Sequence, residues 1–358
     1  MPCRSIARVH TLALGLLMAS SVPAAVAGQA KGSAESTAAA NTHPGWQAPR
    51  TPWGHPDLQG LWTTDDMRGV PMQRPEEFGT RRHLTDEAFA ERVAAREEAF
   101  GRSAVYSGTF RNEEGTRIFG YTSLVVDPPD GRVPAMTPAA LARQSGRARG
   151  SFGVGPFNSI DDFSLYDRCI TRGLLGSTLP VVYGNGARIL QTPDSVVISY
   201  EMVHETRVIP LDGRPHLGSD VRQYMGDARG HWEGDTLVVE TTNFTDQTSI
   251  GPNGGGARHS AAMRLVERFT RVDPEMVDYE VRIEDLATYT APWTLRLTFT
   301  QQPDYQIFEY ACHEGNRAVG NTLSGERAWE REAAQAAAKG LPPPPRVFEQ
   351  VNSPDRAR

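Results

Sequence analysis

Cysteine is scarce in this chain, with three in 358 residues. There is no Cys-x-x-Cys pair, no second histidine four residues after the His of His204-Glu205 or His313-Glu314, and no carboxylate-rich calcium loop, so metal chemistry is not expected. Gly153, Gly155 and the run Gly254 to Gly256 lack the spacing of a dinucleotide fingerprint. A phosphate-binding lysine loop and a Gly-x-Ser-x-Gly elbow are missing too, so no cofactor is expected. Long blocks of one charge are also lacking: the net charge of −6 comes from mixed signs, which leaves no electrostatic footprint for nucleic acid. No stretch after residue 27 is apolar enough to cross a bilayer.

The one extended apolar run is at the start. Arg4 and Arg8 precede Leu12 to Val26, too short and too interrupted by Ser and Pro for an anchor, and Ala25-Val26-Ala27 supplies a small-x-small cleavage pattern. Residues 1–27 are therefore predicted to be a signal peptide, and the mature chain to be periplasmic or secreted. Its roughly 330 residues suffice for one large domain or two modest ones. Cys3 leaves with the leader, and in an oxidising compartment Cys169 and Cys312 have a disulfide as their simplest use. Two buried thiols, or a thiolate nucleophile, are the alternatives.

Residues 28–50 are rich in Ala, Ser, Thr, Gly and Pro and read as a disordered leader. A segment of short strands and helices follows over 51–186. Within it, Pro52 to Trp62 predicts a short strand, and Thr122 to Asp127 another. Thr85 caps a predicted helix over Leu84 to Phe100 with Phe89, Val93 and Phe100 at helical spacing, and Thr137-Pro138 begins a shorter one. Over 187–323 the pattern changes to short alternating runs between turns. It predicts strands at 187–191, 196–204, 206–211, 228–232, 236–244, 264–272, 277–285, 293–300 and 305–312. Such an antiparallel meander must close into a barrel or fold into a sandwich to protect its edges. The tail, 324–358, is predicted to be helical and then Pro-rich.

Register predicts which side chains face inward. If Asp273 to Met276 is a four-residue loop, Val272 faces Val277, and Arg271–Asp278 and Glu267–Arg282 become complementary outward pairs. Val266, Thr270, Val272, Val277, Tyr279, Val281 and Ile283 then line the inside, and Arg264, Arg268 and Asp285 are forced onto the same face. The strand from Val196 aims Tyr200, Met202 and His204 inward, and Trp232 and Trp293 join them. An interior of this composition suits a small-molecule pocket. His204 as acid or base, Arg268 with Tyr279 on an oxyanion or carboxylate, and Asp285 orienting Arg268 form the candidate catalytic set. Equally, His204 is a satisfied core residue and Arg268 pairs with Asp285. The turn Glu309 to Asn316 offers Tyr310, His313 and Glu314 as ligand contacts, or as a disulfide-anchored turn. His231 reads as an outward residue beside a tight turn. His259 reads as part of a lid or as a solvent-facing residue.

Five segments, RTPWGHPDLQGLW from Arg50, YDRCITRG from Tyr166, HWEGDTLVVET from His231, ERFTRVD from Glu267 and EYACHEGN from Glu309, resemble a large family of uncharacterised secreted bacterial proteins. That resemblance spans nearly all of the mature chain and implies no particular activity. The Trp-Glu-Gly-Asp hairpin and the meander also resemble lipocalin-like, or calycin, barrels, which implies a mainly β fold with a few peripheral helices. Barrels of this kind hold apolar ligands or run cofactor-free chemistry. The expectation is a lyase, isomerase, cyclase or hydratase acting on a small hydrophobic or aromatic molecule. A carrier of such a molecule and a cell-envelope interaction module are the alternatives.

Overall fold

The computed structural model describes residues 46–102, 115–144, 155–301 and 305–346. The expected signal peptide and nearly all of the 28–50 leader lie outside them. Twelve strands are described: β1 (Gly60–Thr63), β2 (Val125–Asp127), β3 (Gly186–Gln191), β4 (Ser195–Tyr200), β5 (Thr206–Pro210), β6 (Asp227–Glu233), β7 (Thr236–Thr242), β8 (Ser249–Ile250), β9 (Ala257–Arg258), β10 (Arg264–Asp273), β11 (Met276–Glu284) and β12 (Trp293–Gln301). Helices α1 (Asp86–Arg102), α2 (Pro138–Gln144), α3 (Leu174–Thr178) and α4 (Ala318–Ala338) complete the described set. Two begin on the expected caps: Thr85 Oγ1 accepts from the Ala88 amide at 3.3 Å and Thr137 Oγ1 from the Ala140 amide at 3.1 Å. The Phe100 side chain lies outside the described residues.

Nine strands form one antiparallel sheet in the order β5-β4-β3-β1-β12-β11-β10-β7-β6. Apart from the junction where β1 slots between β3 and β12, and the β7–β10 connection that carries the separate β8–β9 hairpin, neighbours in the sheet follow one another along the chain. The result is an up-and-down, nearly closed, lipocalin-like barrel. Its ninth strand is not the expected 305–312, which forms no strand; β1 fills the place from the other end of the chain. β2 continues the same edge of β12, with Leu295 opposite Val125. The seam lies between β5 and β6, where no ladder is formed among the described residues. Side chains close it instead. A Cβ on Gly230 of β6 would stand 2.8 Å from Ile209 and Leu211, so glycine is what lets the β5 side pack this closely.

Alternation fills the interior. Ile189, Val196, Ile198, Tyr200, Ile209, Leu237, Val239, Leu265, Phe269, Tyr279, Val281, Leu295 and Phe299 are all buried in one cluster with Trp62 and Trp293. β11 presents Val277, Tyr279, Val281 and Ile283 as the pattern predicts. β10 does not. A bulge between Arg271 and Asp273 pairs Arg271, not Val272, with Val277. Because side chains alternate with period two, this one-residue slip reverses the whole strand. Leu265, Glu267 and Phe269 face in, while Arg264, Val266 and Arg268 face out. The expected cross-strand pairs Arg271–Asp278 and Glu267–Arg282 are replaced by Thr270–Asp278 and Val266–Arg282.

Glu267 is consequently a carboxylate inside the barrel, with 0% exposure. It is bound bidentately by Arg207 of β5 at 2.9 and 2.7 Å, accepts from Tyr279 at 3.0 Å and lies 3.3 Å from Thr241 Oγ1. Burial lowers the affinity of Arg207 for its proton, but the Glu267 charge outweighs it and holds the guanidinium firmly protonated. Burial, then the Glu267 charge, pushes the Tyr279 phenol well up.

A second buried carboxyl sits just after β1. Asp65 accepts from Thr63 Oγ1 and Asn185 Nδ2, both at 2.5 Å, yet burial dominates and pushes its pKa up to about 6. Folding therefore takes up a proton between the unfolded value of about 3.9 and the folded one. This contribution is fully present below about pH 4 and is lost as pH rises through 6, a change on the order of 3 kcal/mol. Asp65→Asn is expected to remove it. Urea unfolding of both proteins between pH 4 and 7 should show the wild type losing stability relative to Asp65→Asn as pH rises, and parallel curves would refute the assignment.

Candidate functional site

The four residues expected to form a catalytic set do not share a cavity. Arg268 is outside the barrel, 41% exposed, and donates to Glu233 at 2.9 Å. Arg264 is also outside, between Glu284 and Glu240. Tyr279 is sealed against Glu267. Asp285 is held by Ser260, through the amide at 2.7 Å and the hydroxyl at 2.6 Å, and not by Arg268. His204 ends a short 3-10 turn, Met202–His204, that interrupts the expected strand, and its side chain lies outside the described residues. The slipped register accounts for Arg264 and Arg268.

The expected ligand contacts divide into two groups. Tyr200 and Trp293 are packed into the barrel core, and Trp232 is half-buried at its margin, its ring 5.3 Å from His55. Met202 is buried with its sulfur 3.7 Å from the Tyr166 hydroxyl. Tyr310 and Glu314, by contrast, line an open cleft of about 560 Å³ outside the barrel, and His313 lies exposed next to it.

This cleft is built by joining two loops. In the first, Ser164 Oγ donates to Asp167 at 2.8 Å and accepts from the Asp167 amide at 3.0 Å, folding a tight turn that brings Cys169 into the left-handed region at φ 57°. In the second, Cys312 bonds to Cys169 with the Cα atoms 5.7 Å apart. Asn316 adds a clasp, donating to the Asp167 carbonyl at 2.8 Å. The segment preceding Cys312 is docked by Glu201, which accepts from the Tyr305 hydroxyl and, at 3.2 Å, from the Phe308 amide. α4 supplies Ala318, Val319 and Thr322.

Aromatic rings dominate the walls. Phe157 and Phe163 stack at 4.6 Å, and Tyr183 and Tyr310 meet at 6.2 Å. Tyr166 completes the lining, its phenol pushed far up by burial and by its tyrosine neighbours. It stays protonated at any physiological pH and acts as a hydrogen-bonding group, not a base. Tyr166, Tyr183, Phe157 and Phe163 were not among the expected ligand contacts, because strand parity says nothing about loops. The available signal was the cysteine pairing, which already placed Tyr166 next to the Cys312 turn.

A second cavity of about 340 Å³ lies on the outer side of β12, lined by Arg74, Arg82, His83, Tyr121 and Arg296 among others. Its best-buried cations are engaged: Arg74 with Thr122 and two carbonyls, Arg296 with Asp278 at 2.8 and 3.0 Å. Of the other histidines, His231 is exposed and 3.1 Å from Glu233. His259 is neither lid nor solvent-facing: it is buried, its Nε2 2.5 Å from Thr248 Oγ1 and its Nδ1 2.9 Å from the Ser260 carbonyl. Among the described residues no group of three or more His, Cys, Asp or Glu gathers as metal ligands, and no helix is long and apolar enough to cross a membrane.

The architecture defines the class: a mainly β protein with a nearly closed, lipocalin-like antiparallel barrel and an external cleft stapled by one disulfide. No family model matches the chain, and no curated protein matches it. Among solved structures it is similar to a mutant of the fluorescent protein UnaG, at 12% identity and a TM-score of 0.21, over 39% of this chain and 86% of that one.

Proposed function

We propose that this protein binds a small aromatic or otherwise largely apolar molecule in the cleft between the Cys169 loop, the Cys312 turn and α4. The observation that carries the reading is the cleft itself. Its volume falls within the roughly 300–1,000 Å³ typical of small-molecule sites, and apolar walls with a few hydroxyls are their usual chemistry. The barrel interior, in contrast, is occupied by its own side chains. The lining favours binding: Tyr166 holds its proton, Asp167 is already committed to Ser164, and Glu314 is the other carboxylate among otherwise aromatic, apolar and neutral groups. The Arg4-to-Ala27 leader and the Cys169–Cys312 bond support export to an oxidising compartment as the setting for this binding.

Titration with an anilinonaphthalene sulfonate dye, read by fluorescence, tests the cleft. Tyr310→Ala is expected to weaken dye binding about tenfold, equivalent to ~1.4 kcal/mol, while Trp232→Ala leaves it unchanged. Equal affinity in wild type and Tyr310→Ala would sink the reading. Mass spectrometry of small molecules copurifying with the mature chain would then identify the natural occupant.

A further inference from the structure

The cavity of about 340 Å³ on the outer side of β12 shares no lining residue with the cleft and is opposite to it in charge. Among the described residues, the cleft lining holds Asp167 and Glu314 and no cation. This cavity is lined by Arg74, Arg82, His83 and Arg296 and by no carboxylate, with Tyr121 and Val126 as apolar surface. Backbone bonds build it. The Thr122 amide donates to the Arg82 carbonyl at 3.0 Å and the Arg296 amide to the Leu124 carbonyl at 2.9 Å, fastening the 82–83 and 121–126 segments to each other and to β12. Alternation along β12 sends Leu295 and Leu297 into the barrel core and Arg296 and Thr298 outward to the cavity. Arg82 closes another side: its Nη2 donates to the Val126 carbonyl at 3.3 Å, and both residues line the space.

The three arginines are matched by one bonded carboxylate. Asp278 takes Nε and Nη2 of Arg296 at 2.8 and 3.0 Å. Arg74 and Arg82 are bonded to neutral acceptors: Thr122 Oγ1 and the Gly79 and Pro129 carbonyls for the first, the Val126 carbonyl for the second. Asp130 and Glu280 act on Arg74 and Arg296 through their fields. The His83 ring, 5.4 Å from that of Tyr121, registers the balance. Burial first, then the charges of Arg296 and Arg82, push its pKa down, so the imidazole is neutral at pH 7 and both charges acting on it are positive. A concave site of one sign raises the local concentration of the opposite ion.

We propose that this cavity is a second binding site, for a small organic carboxylate, with Arg82 and Arg296 on the carboxylate and Tyr121 and Val126 against its body. Guanidinium donors match the two oxygens of a carboxylate in spacing and charge. The charge of Arg74, next to Arg82, adds to the attraction from behind. Volume and walls set the rest of the ligand. The space lies at the lower end of the roughly 300–1,000 Å³ of small-molecule sites, which suits an acid built on a single ring, whereas a bare inorganic anion leaves the apolar walls unused. The site is independent of cleft occupancy.

The test is calorimetric titration with sodium benzoate and with benzamide at constant ionic strength, two probes that share a ring and differ in charge. Benzoate is expected to bind about tenfold or more tightly than benzamide, and Arg82→Gln, a change at an exposed side chain, is expected to erase the preference. No benzoate binding, equal affinity for the two probes, or a preference unchanged in Arg82→Gln would overturn the site. Tighter binding of inorganic phosphate than of benzoate would overturn the ligand class. Should Arg82→Gln fail to fold, wild-type crystals soaked in 4-bromobenzoate decide the matter. A bromine anomalous peak between Tyr121 and Arg296 supports the proposal, and a peak confined to the cleft overturns it. Tyr310→Ala, which reports the cleft, should leave the benzoate preference intact, so the two readings fail separately.

Discussion

Replacing Glu267 by alanine is expected to cost about 3–5 kcal/mol of stability, the penalty for stranding a buried cation. Arg207 places Nη1 and Nη2 on that one carboxylate, and its Nε is already without a partner. Thr241 Oγ1, 3.3 Å from Nη2, is a neutral substitute that cannot offset the charge. The pair also links β5, on one side of the seam, to β10, the third strand from it on the other side. Its loss should therefore loosen β5 before the rest, visible as faster amide exchange at Arg207 and Ile209. The companion variant, Arg207→Met with Glu267→Leu, fills similar volume without charge. It is expected to recover most of the loss, because apolar replacements of buried ion pairs are often neutral or stabilising. Guanidinium unfolding of the three proteins decides the point, and a single-mutant loss below about 1 kcal/mol would refute it.

Why Glu267 escapes a reading of sequence follows from the composition of β10. Arg264 to Asp273 alternates ambiguously: one face carries Leu265, Glu267 and Phe269, the other Val266, Arg268 and Thr270. Complementary charges at Arg271–Asp278 and Glu267–Arg282 favour the second face as interior, but exposed ion pairs carry only about 0–1 kcal/mol. Burial of Phe269 and the Arg207 partnership carry more, and Arg207 lies 60 residues away in the chain. The bulge that selects the observed register is itself local: Asp273 Oδ1 accepts from the Glu275 amide at 2.9 Å, tightening the turn. The unambiguous neighbours, β11 with Val277, Tyr279, Val281 and Ile283, and β12 with Trp293, Leu295, Leu297 and Phe299, were legible because one face of each is apolar throughout. β1 illustrates a different limit. Its Trp62 signalled a strand, but its place between β3 and β12 depends on long-range pairing that alternation does not encode. In the cleft, the cysteine pairing and the polar Cys312 turn were readable, whereas the interruption of the chain at Met202–His204 and the loss of a strand at 305–312 were not. Both segments are held by side-chain contacts to Glu201, Tyr166 and Asp167, not by a ladder.

That dependence gives the disulfide an effect on function as well as on stability. Cys169 and Cys312 are separated by 143 residues, and closing a loop of that length corresponds to about 5 kcal/mol in the chain-entropy limit, with about 2–5 kcal/mol typical for removing a native bond. In the Cys169→Ser, Cys312→Ser protein, or after reduction, stability is expected to fall by this amount. Dye binding should fall as well, by roughly tenfold or more, because the segment carrying Tyr310 has no strand pairing to retain it. Its other ties among the described residues include the Glu201 contacts with Tyr305 and Phe308, the Tyr183–Tyr310 ring contact and the Asn316 clasp on Asp167. The clasp depends on the Cys169 turn staying folded, so it weakens together with the bond. The Arg207–Glu267 variants supply the control: they lower global stability from inside the barrel without touching the cleft, and under native conditions their dye affinity should match wild type. If the Cys-to-Ser protein kept wild-type dye affinity while losing stability, Glu201 and α4 alone would define the wall, and the bond would serve the fold only.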